Sequence, residues 1–386
     1  MYETPTEQDW SVPAPVFRSQ VKTGVDSDEA AVVATVADVS GNAYRRPGAK
    51  MLIDHMGAAT GQLTAGCLAD DIESLSEVVL DTGEPVIERY DLSGGDDDVW
   101  GLGVGCDGEV TVLLEPLSER YRPVAEAFAD QRPIGAITVI ADETGRFNAG
   151  TRMYYDPVED SLQCTDNSTD GARSAGILTA VDGEKLLDST RQLVETGRSA
   201  VITVGDGCRV FVDGIVPLPE LVIFGSGPDV QPVVVAATNA GFRVTVVGFR
   251  GGVDLGSRFP TAERTVTSAP GNVAETLDLT RRTHAVVMTH NFVDDQLTVE
   301  QLLSSPVPYV GILGPSDRFE RLREAIDVEL MDSLSKVYAP VGLNLGGGSP
   351  NQVAHSIVAE LLAVANDTTP THLRNRDGTI HERVDI

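Results

Sequence analysis

Hydrophobic residues along this chain fall into short runs separated by polar or glycine-rich segments, and the run at Leu221–Phe224 is the most informative. It leads directly into Gly225-Ser226-Gly227, and an apolar stretch of helical length, Val230–Asn239, follows. This order predicts a buried parallel strand, a tight turn and a crossover helix. Gly225 and Gly227 have no Cβ, so an anion can approach the backbone of the turn. The free N–H groups at the helix start suit a phosphate.

After this turn, short apolar runs alternate with helical stretches. The pattern predicts an α/β fold, a doubly wound parallel Rossmann-like sheet over residues 219–366, followed by a polar C-terminal tail at 367–386. Further strands are predicted at 243–248, 284–290, 309–314 and 337–342, with a weaker one at 265–268. Ligands bind such sheets at the carboxyl ends of the strands. The candidate residues there are Gly225, Gly227, His290, Gly314 and Asn344.

The dinucleotide-binding fingerprint of this second half is incomplete. Val230 takes the place of its third glycine, and Gly248 stands where an acid should bind the ribose. The pattern therefore favours the fold more strongly than it favours NAD(P) as a cofactor, although Arg250 could meet a phosphate. His290 has two interpretations: an acid/base group, or a helix cap or hydrogen-bonded core residue.

The first half shows a different pattern, which occurs twice. Residues 1–25 have no period and predict a flexible N-terminal arm. Residues 26–130 read as two strands, an amphipathic helix ending at Gly83, and two more strands. Residues 131–218 repeat that order, which predicts a duplicated α+β module packed as a pseudo-symmetric pair; chance similarity is the alternative. The second copy lacks a counterpart of RRPGAK at 45–50, so chemistry is expected mainly in the first.

The segment 45–50 places three cations in six residues of an acidic chain. Arg45, Arg46 and Lys50 surround a Pro47-Gly48 turn. Guanidinium and ammonium groups on one turn favour phosphate or another compact oxyanion. The alternative is a solvated turn whose cations pair with nearby aspartates.

Two cysteines follow glycines, Cys67 in TAGC and Cys106 in GVGC. Cys67 lies just before or at the start of the predicted helix, whose dipole should lower its pKa modestly against Asp70 and Asp71. A thiolate is a nucleophile and a soft-metal ligand. The alternative is an inert buried thiol, which is the role expected for Cys164 and Cys208; no spacing typical of a closed zinc site is present.

Charge and composition narrow the class of protein. Asp and Glu number 58 against 29 Lys and Arg, a net charge of −29, which should repel nucleic acid and anionic membranes. Such self-repulsion is easiest to tolerate in strong salt, so a halophile's cytosol is predicted, with an ordinary acidic protein as the alternative. No run is long enough to cross a membrane and no signal peptide is recognisable, which predicts a cytoplasmic protein.

Several ordered motifs resemble the XdhC/CoxI family, with its C-terminal XdhC Rossmann domain. RRPGAKMLI, AGC before an acidic helix, and WGLGVGCDGEVTVLLEPL resemble its N-terminal part, and LVIFGSG, GFRVTVVGFR, VVMTHN, YVGILG and APVGLNLGGGSP resemble its Rossmann domain. The resemblance implies an accessory protein that binds the molybdenum cofactor, as molybdopterin or its dinucleotide form. It would protect the cofactor while a cysteine desulfurase supplies sulfur, and then insert it into an apo molybdenum hydroxylase such as xanthine or carbon monoxide dehydrogenase. We expect a homodimer.

The resemblance also implies roles for individual residues. Cys67 and Cys106 would lie at the molybdenum centre. The cofactor-binding set in the first half would be Arg45, Arg46, Pro47, Gly48, Lys50, Gly66, Cys67, Asp71, Gly105 and Cys106.

The chain departs from the family pattern at several positions. Ala69 replaces a frequent glutamate, and Pro228-Asp229 replaces a Gly-His pair. Asn344 and Gly348 replace two acids of the last motif. The first site is thus better preserved than the Rossmann site. The alternative function is enzymatic, an NAD(P)-dependent oxidoreductase or a cysteine-based sulfur-transfer enzyme, with Cys67 and His290 as the candidate catalytic residues.

Overall fold

The computed structural model describes residues 8–9, 12–27, 29–41, 44–64, 66–92, 108–164 and 183–375. The chain divides into two compact units: the first holds most residues up to Pro217, and the second runs from Leu218 to Asn375 together with residues 13–15. The first unit contains both predicted α+β modules, and the finer five-part division stays a prediction. None of the helices in these ranges is long and apolar enough to cross a membrane.

The first module is built on a six-stranded sheet in the order β1-β4-β3-β2-β6-β5. Its central strand β2 is buried on both faces, which explains the unbroken apolar run in its sequence. Helix α2 covers one face and ends at Gly83, whose left-handed backbone (φ 69°) donates its N–H to the carbonyl of Val79, as predicted. The elements are β1 (Gln8–Asp9), β2 (Ala31–Gly41), β3 (Lys50–Asp54), β4 (Ala59–Gly61), α2 (Ala69–Thr82), β5 (Val86–Asp91) and β6 (Gly108–Pro116).

The second module repeats this strand order, as expected if the two modules are copies of one another. Its sheet has the order β10-β11-β7-β8-β9, matching β5-β6-β2-β3-β4 of the first sheet strand for strand. The elements are α3 (Arg122–Asp130), which follows a 3-10 turn at Glu119–Tyr121, then β7 (Ile134–Asp142), β8 (Arg152–Asp156), β9 (Ser161–Cys164), α4 (Gly183–Thr196), β10 (Ser199–Val204) and β11 (Cys208–Ile215).

One sequence expectation needs correction in the first unit. The predicted flexible arm at 1–25 contains helix α1 (Ala14–Asp26). Val21 and Val25, one helical turn apart, are buried in a cluster with Tyr121 and Phe128. The pattern was missed because two apolar residues on an otherwise polar helix give a weak period, and their partners lie about a hundred residues away.

The second unit is a parallel six-stranded sheet in the order β14-β13-β12-β15-β16-β17, which confirms the Rossmann-like fold. Leu221 and Ile223 of β12 face one core cluster, and Val222 and Phe224 face the other, so helices cover both sides. The elements are β12 (Glu220–Phe224), α5 (Val230–Asn239), β13 (Arg243–Gly248), α6 (Leu255–Arg258), β14 (Arg264–Thr267), α7 (Val273–Thr276), β15 (Thr283–Val287), α8 (Phe292–Leu303), β16 (Tyr309–Ile312), α9 (Ser316–Ala325), β17 (Val337–Tyr338) and α10 (Pro350–Ala365).

The strand order of this sheet fixes where a ligand would bind. From β12 the chain proceeds outward to β13 and β14, and then returns to the other side of β12 at β15. The crevice at the carboxyl ends of β12 and β15 is therefore the topological switch point. At the C-terminus, the described part of the predicted polar tail, residues 367–375, is exposed.

Candidate functional site

The strand pairing of the first module gathers its connecting segments at one end of the sheet. Gly41 pairs with Gly108, and Met51 pairs with Gly61. The carboxyl ends of β2, β4 and β5 therefore lie at the same end as the amino ends of β3 and β6. We call this end, with its connecting segments 42–49, 62–68 and 92–107, the loop end. It brings the predicted cationic turn and Cys67 to one end of the sheet.

The cationic turn has the conformation expected from Pro47-Gly48. Gly48 adopts φ 92°, and its N–H donates to the carbonyl of Val36 at 2.8 Å. A Cβ at this glycine would come within 2.5 Å of Ser199 Oγ in the second module, so glycine is required by conformation and by space. Arg45 and Arg46 are both exposed beside this fixed turn. The turn thus presents two guanidinium groups on a rigid backbone.

The side chain of Lys50 is buried, whereas Arg45 and Arg46 are exposed. Its ammonium group donates to Asp213 Oδ2 at 2.5 Å and to the carbonyl of Gly48 at 3.1 Å, and the side chains of Lys50 and Asp213 are each 8% exposed. Ser199 Oγ donates to the second carboxylate oxygen of Asp213 at 2.8 Å. The expectation that three cations share one accessible turn is therefore corrected. The charge of Lys50 compensates a buried acid of the second module.

A second ion pair joins the modules in the reverse sense. Arg152 begins β8 as Lys50 begins β3, and it donates to Glu115 of β6 at 2.5 Å. Glu115 occupies the same place in β6 as Asp213 does in β11. Burial opposes the charge of Arg152, yet the neighbouring carboxylate of Glu115 holds the pKa of the guanidinium above its ordinary value. Each module thus contributes one cation and one acid to the two ion pairs that join them, as expected of a pseudo-symmetric pair.

Cys67 lies two residues before α2, as predicted. Gly66 has a left-handed backbone (φ 104°), and its N–H donates to Thr64 Oγ1 at 3.3 Å. Leu68 is fully buried, whereas Cys67 is partly exposed. The turn therefore leaves Cys67 partly exposed, packed against the edge of the core in which the next side chain, Leu68, is buried.

Asp71, in the first turn of α2, has a partner that the sequence did not indicate. Tyr90, at the loop end of β5, donates its hydroxyl to Asp71 Oδ2 at 2.5 Å. Burial, together with this carboxylate, raises the pKa of Tyr90 above its ordinary value, so Tyr90 stays a donor. Tyr90 therefore fixes the position of the Asp71 carboxylate, four residues after Cys67. In the sequence, this contact could have been inferred only from a tyrosine at the end of an edge strand.

Of the other three cysteines, the structure describes the side chain of Cys208. Gly105 and Cys106 lie outside the described residues. The side chain of Cys164 is also outside the described set. Cys208 is buried, in agreement with its predicted structural role. Within the described ranges no cluster of His, Cys, Asp and Glu could hold a metal ion, and the molybdenum role of Cys67 and Cys106 stays a prediction.

A cavity of about 150 Å³ opens on the first module near its loop end. Its two arginines are paired, Arg89 with Glu109 at 2.5 Å and Arg209 with Asp38 at 2.9 Å. The acids that line this cavity thus compensate its cations, and it is a poor place for an added anion.

In the second unit, the candidate residues lie at the carboxyl edge of the sheet. Gly225 (φ 150°) passes so close to the carbonyl of Met288 that a Cβ would come within 2.5 Å of it. A Cβ on Gly314 (φ 146°) would come within 2.8 Å of the Arg318 side chain. His290 has a left-handed backbone (φ 59°) and accepts or donates a hydrogen bond at 2.8 Å with Asp229. Its side chain is 62% exposed, so it is not a core residue. Asn344 is exposed in the segment after β17.

The helix-capping role considered for His290 belongs to its neighbour. Asn291 accepts from the backbone N–H groups of Val293 and Asp294 at the start of α8. Arg250, considered as a phosphate ligand, pairs with Asp294 at 2.7 Å. The acid/base interpretation of His290 stays a prediction.

Comparison with known proteins finds matches to both units of the chain. The XdhC and CoxI family model matches residues 25–91, and the XdhC Rossmann domain model matches residues 221–361. The chain is 30% identical over 348 residues to a protein of Bacillus subtilis described as a probable xanthine dehydrogenase subunit. That match covers 90% of this chain and 96% of the relative. The chain belongs to the XdhC and CoxI family.

Two further proteins are similar to this chain. A crystal structure described as a xanthine dehydrogenase from Bacillus halodurans has a TM-score of 0.71 at 26% identity, covering 91% of this chain and 96% of that one. The uncharacterized protein YqeB of Escherichia coli is 26% identical over 179 residues, 44% of this chain and 32% of that protein. The XdhC and CoxI match includes the cationic turn, Cys67, Asp71 and Tyr90, and the XdhC Rossmann match includes the switch point.

Proposed function

We propose that this chain is a maturation factor that binds the molybdenum cofactor and inserts it into an apo molybdenum hydroxylase such as xanthine or carbon monoxide dehydrogenase. The observation that carries the proposal is the loop end, where two exposed arginines on a rigid turn lie at the same end of the sheet as the partly exposed Cys67. The relative described as a probable xanthine dehydrogenase subunit supports the choice of client.

The residues at the loop end fit the chemistry of that cofactor. Arg45 and Arg46 suit its phosphate, because guanidinium groups donate two parallel hydrogen bonds to phosphate oxygens. Cys67 suits a soft metal, because a thiolate is a soft ligand. The cofactor supplies the molybdenum–dithiolene centre on which the client's chemistry depends. The protein's part is to hold the phosphate, to cover the metal with Cys67 and Cys106, and to keep Asp71 oriented through Tyr90.

The remaining parts of the proposal follow the family resemblance. A cysteine desulfurase supplies the sulfur while the cofactor is held. The factor acts as a homodimer in the cytoplasm. The second module has Phe147 and Asn148 where the first has Arg45 and Arg46, so it holds the first module in place rather than binding a second cofactor.

The test measures molybdenum and pterin bound to the purified full chain after co-expression with a molybdenum hydroxylase. Loss of each charge-assisted hydrogen bond costs about 1.5–3 kcal/mol, so the Arg45→Ala/Arg46→Ala variant should bind cofactor at least roughly tenfold more weakly. The client should then be purified with little sulfurated cofactor and low activity.

Arg146→Ala is the matched control, because Arg146 lies on the corresponding turn of the second module and is exposed. It should retain the cofactor content of the wild type. If the double variant binds as much cofactor as Arg146→Ala, the loop end is not the cofactor site. A variant with normal cofactor content but an inactive client would instead favour a sulfur-transfer role for the first module.

A further inference from the structure

The second unit has a Rossmann strand order, and this fold commonly binds a dinucleotide at its first glycine turn. In such domains the pyrophosphate lies against the backbone between the first strand and the first helix, and the second glycine leaves room for it. In this chain that turn is Gly225–Asp229, between β12 and α5. Whether a pyrophosphate fits is decided by what lies over Gly227.

The space over Gly227 is filled by a carboxylate of the same chain. A Cβ on Gly227 would overlap Asp229 Oδ1, so this oxygen stands on the side of the glycine that a ligand phosphate would approach. Asp229 is also the residue that precedes α5, and its side chain accepts no hydrogen bond from the helix N-terminus. A negative charge thus already stands where the positive end of the helix dipole would attract an added anion.

His290 holds the carboxylate in this place from across the switch point. Its Nε2 lies 2.8 Å from Asp229 Oδ2, and it follows β15 whereas Asp229 follows β12. The left-handed backbone of His290 (φ 59°) is a conformation that histidine adopts only occasionally. The contact therefore spans the crevice in which a dinucleotide would lie.

Two arginines near the crevice also have partners within the protein. Arg258 donates to the carbonyl of Ser226 at 2.6 Å, and Arg250 pairs with Asp294 at 2.7 Å. The ribose-binding acid after the second strand is replaced by Gly248, where even a Cβ would meet Leu255 at 3.0 Å. The residues present therefore do not fit NAD or NADP in the usual position.

We propose that Asp229 is a built-in anion that occupies the pyrophosphate position and determines the specificity of this domain by excluding dinucleotides. The inference is independent of the proposed maturation role, because it concerns only residues of the second unit. It predicts that removing the carboxylate uncovers a phosphate-binding turn that the fold still provides.

The experiment titrates the full chain with NADH, NADPH and inorganic pyrophosphate at one fixed KCl concentration, by calorimetry and by NADH fluorescence. The wild type should show no saturable binding up to ~1 mM. Asp229→Ser removes both the charge and the bulk and should bind at least one of these probes with a dissociation constant roughly tenfold or more below that limit. Asp229→Asn removes the charge alone and should gain less, because the amide still covers Gly227.

Asp278→Ser is the matched control, since Asp278 is an exposed acid that precedes β15 at the opposite end of the strands, and its loss changes the net charge equally. It should gain no affinity, and the thermal midpoints of all variants should confirm that they are folded. Tight binding of NADH or NADPH by the wild type would overturn the proposal. So would an Asp229→Ser protein, folded by its thermal midpoint, that binds no better than Asp278→Ser.

Discussion

At the scale of single residues, Cys67 and Cys208 differ in their surroundings and therefore in their expected roles. Cys67 precedes a helix and is partly exposed at the loop end. Cys208 begins β11 and is buried among apolar residues of the second module. Burial raises the pKa of the Cys208 thiol to about 11, with a smaller contribution from Asp142. The same residue type thus serves as a candidate ligand in one module and as a core residue in the other.

We predict that iodoacetamide alkylates Cys67 much faster than Cys208 in the native protein at pH 7–8. Only the thiolate reacts, and a rise in the pKa of Cys208 from its ordinary value of 9.0 to about 11 reduces its thiolate fraction roughly a hundredfold. Its burial slows the reaction further. Mass spectrometry of the proteolysed protein gives the rate for each cysteine.

The denatured protein is the control for this experiment, since both thiols should then react at similar rates. The rate at Cys208 should rise with pH toward its pKa of about 11, as the thiolate forms. A native rate at Cys67 that is as slow as the expected rate at Cys208 would mean that the Cys67 thiol is not accessible, and the metal-binding role proposed for it would be lost.

At the scale of elements, the first unit is held together by reciprocal contacts between its modules. The corresponding strands β3 and β8 each contribute a cation, and the corresponding strands β6 and β11 each contribute an acid. The pairs are Lys50 with Asp213 and Arg152 with Glu115. A small apolar cluster also joins the modules, in which Leu113 of the first packs with Phe211 at the corresponding position of the second. The buried charges cost desolvation free energy, which close geometry and extra hydrogen bonds offset.

We predict that Lys50→Ala lowers the free energy of unfolding by about 3–5 kcal/mol, because it leaves the buried Asp213 carboxylate unpaired. Lys50→Met combined with Asp213→Leu should recover most of that loss, since an apolar pair needs no desolvation of charge. Urea denaturation followed by circular dichroism measures both.

Arg45→Ala is the control at this scale, because it removes an exposed cation five residues earlier and should change the free energy of unfolding by no more than about 0.5 kcal/mol. A Lys50→Ala protein that is as stable as the wild type but loses cofactor would contradict this assignment. In that case Lys50 would be a ligand, as the sequence alone suggested.

At the scale of the whole molecule, the net charge of −29 is the dominant electrostatic feature. The acids greatly outnumber the basic residues available to pair with them, so the folded chain repels itself. Salt screens this repulsion, with a Debye length of about 10 Å at 0.1 M and about 3 Å at 1 M. Adaptation to a saline cytosol stays a prediction that the following measurement tests.

We predict that the thermal midpoint of unfolding rises as KCl is increased from about 0.1 M into the molar range. Calorimetry at several KCl concentrations measures it, and sucrose at matched osmolality controls for general exclusion of solutes from the protein surface. A midpoint that is unchanged or falls with KCl would remove the halophile interpretation and leave the assignment to the family untouched.

The sequence alone predicted most of the elements and their order, although it missed helix α1. The run Leu221–Phe224 before two glycines predicted β12, its turn and α5, and the repeated order of strands and helix predicted the duplication. Gly83 predicted the end of α2. These signals are local, because hydrophobic periodicity and glycine conformation act within a few residues.

The tertiary structure alone decided which charged groups are held by distant parts of the chain. Lys50 and Arg45 lie on the same turn, yet only Lys50 meets Asp213, 163 residues further along the chain. In the sequence, Asp229 is one of several departures from the family pattern. In the structure, its carboxylate lies over Gly227 and is hydrogen-bonded to His290, 61 residues away. Whether a charged side chain is buried, and which group it pairs with, depends on residues that folding brings near it. The neighbouring residues in the sequence do not determine either.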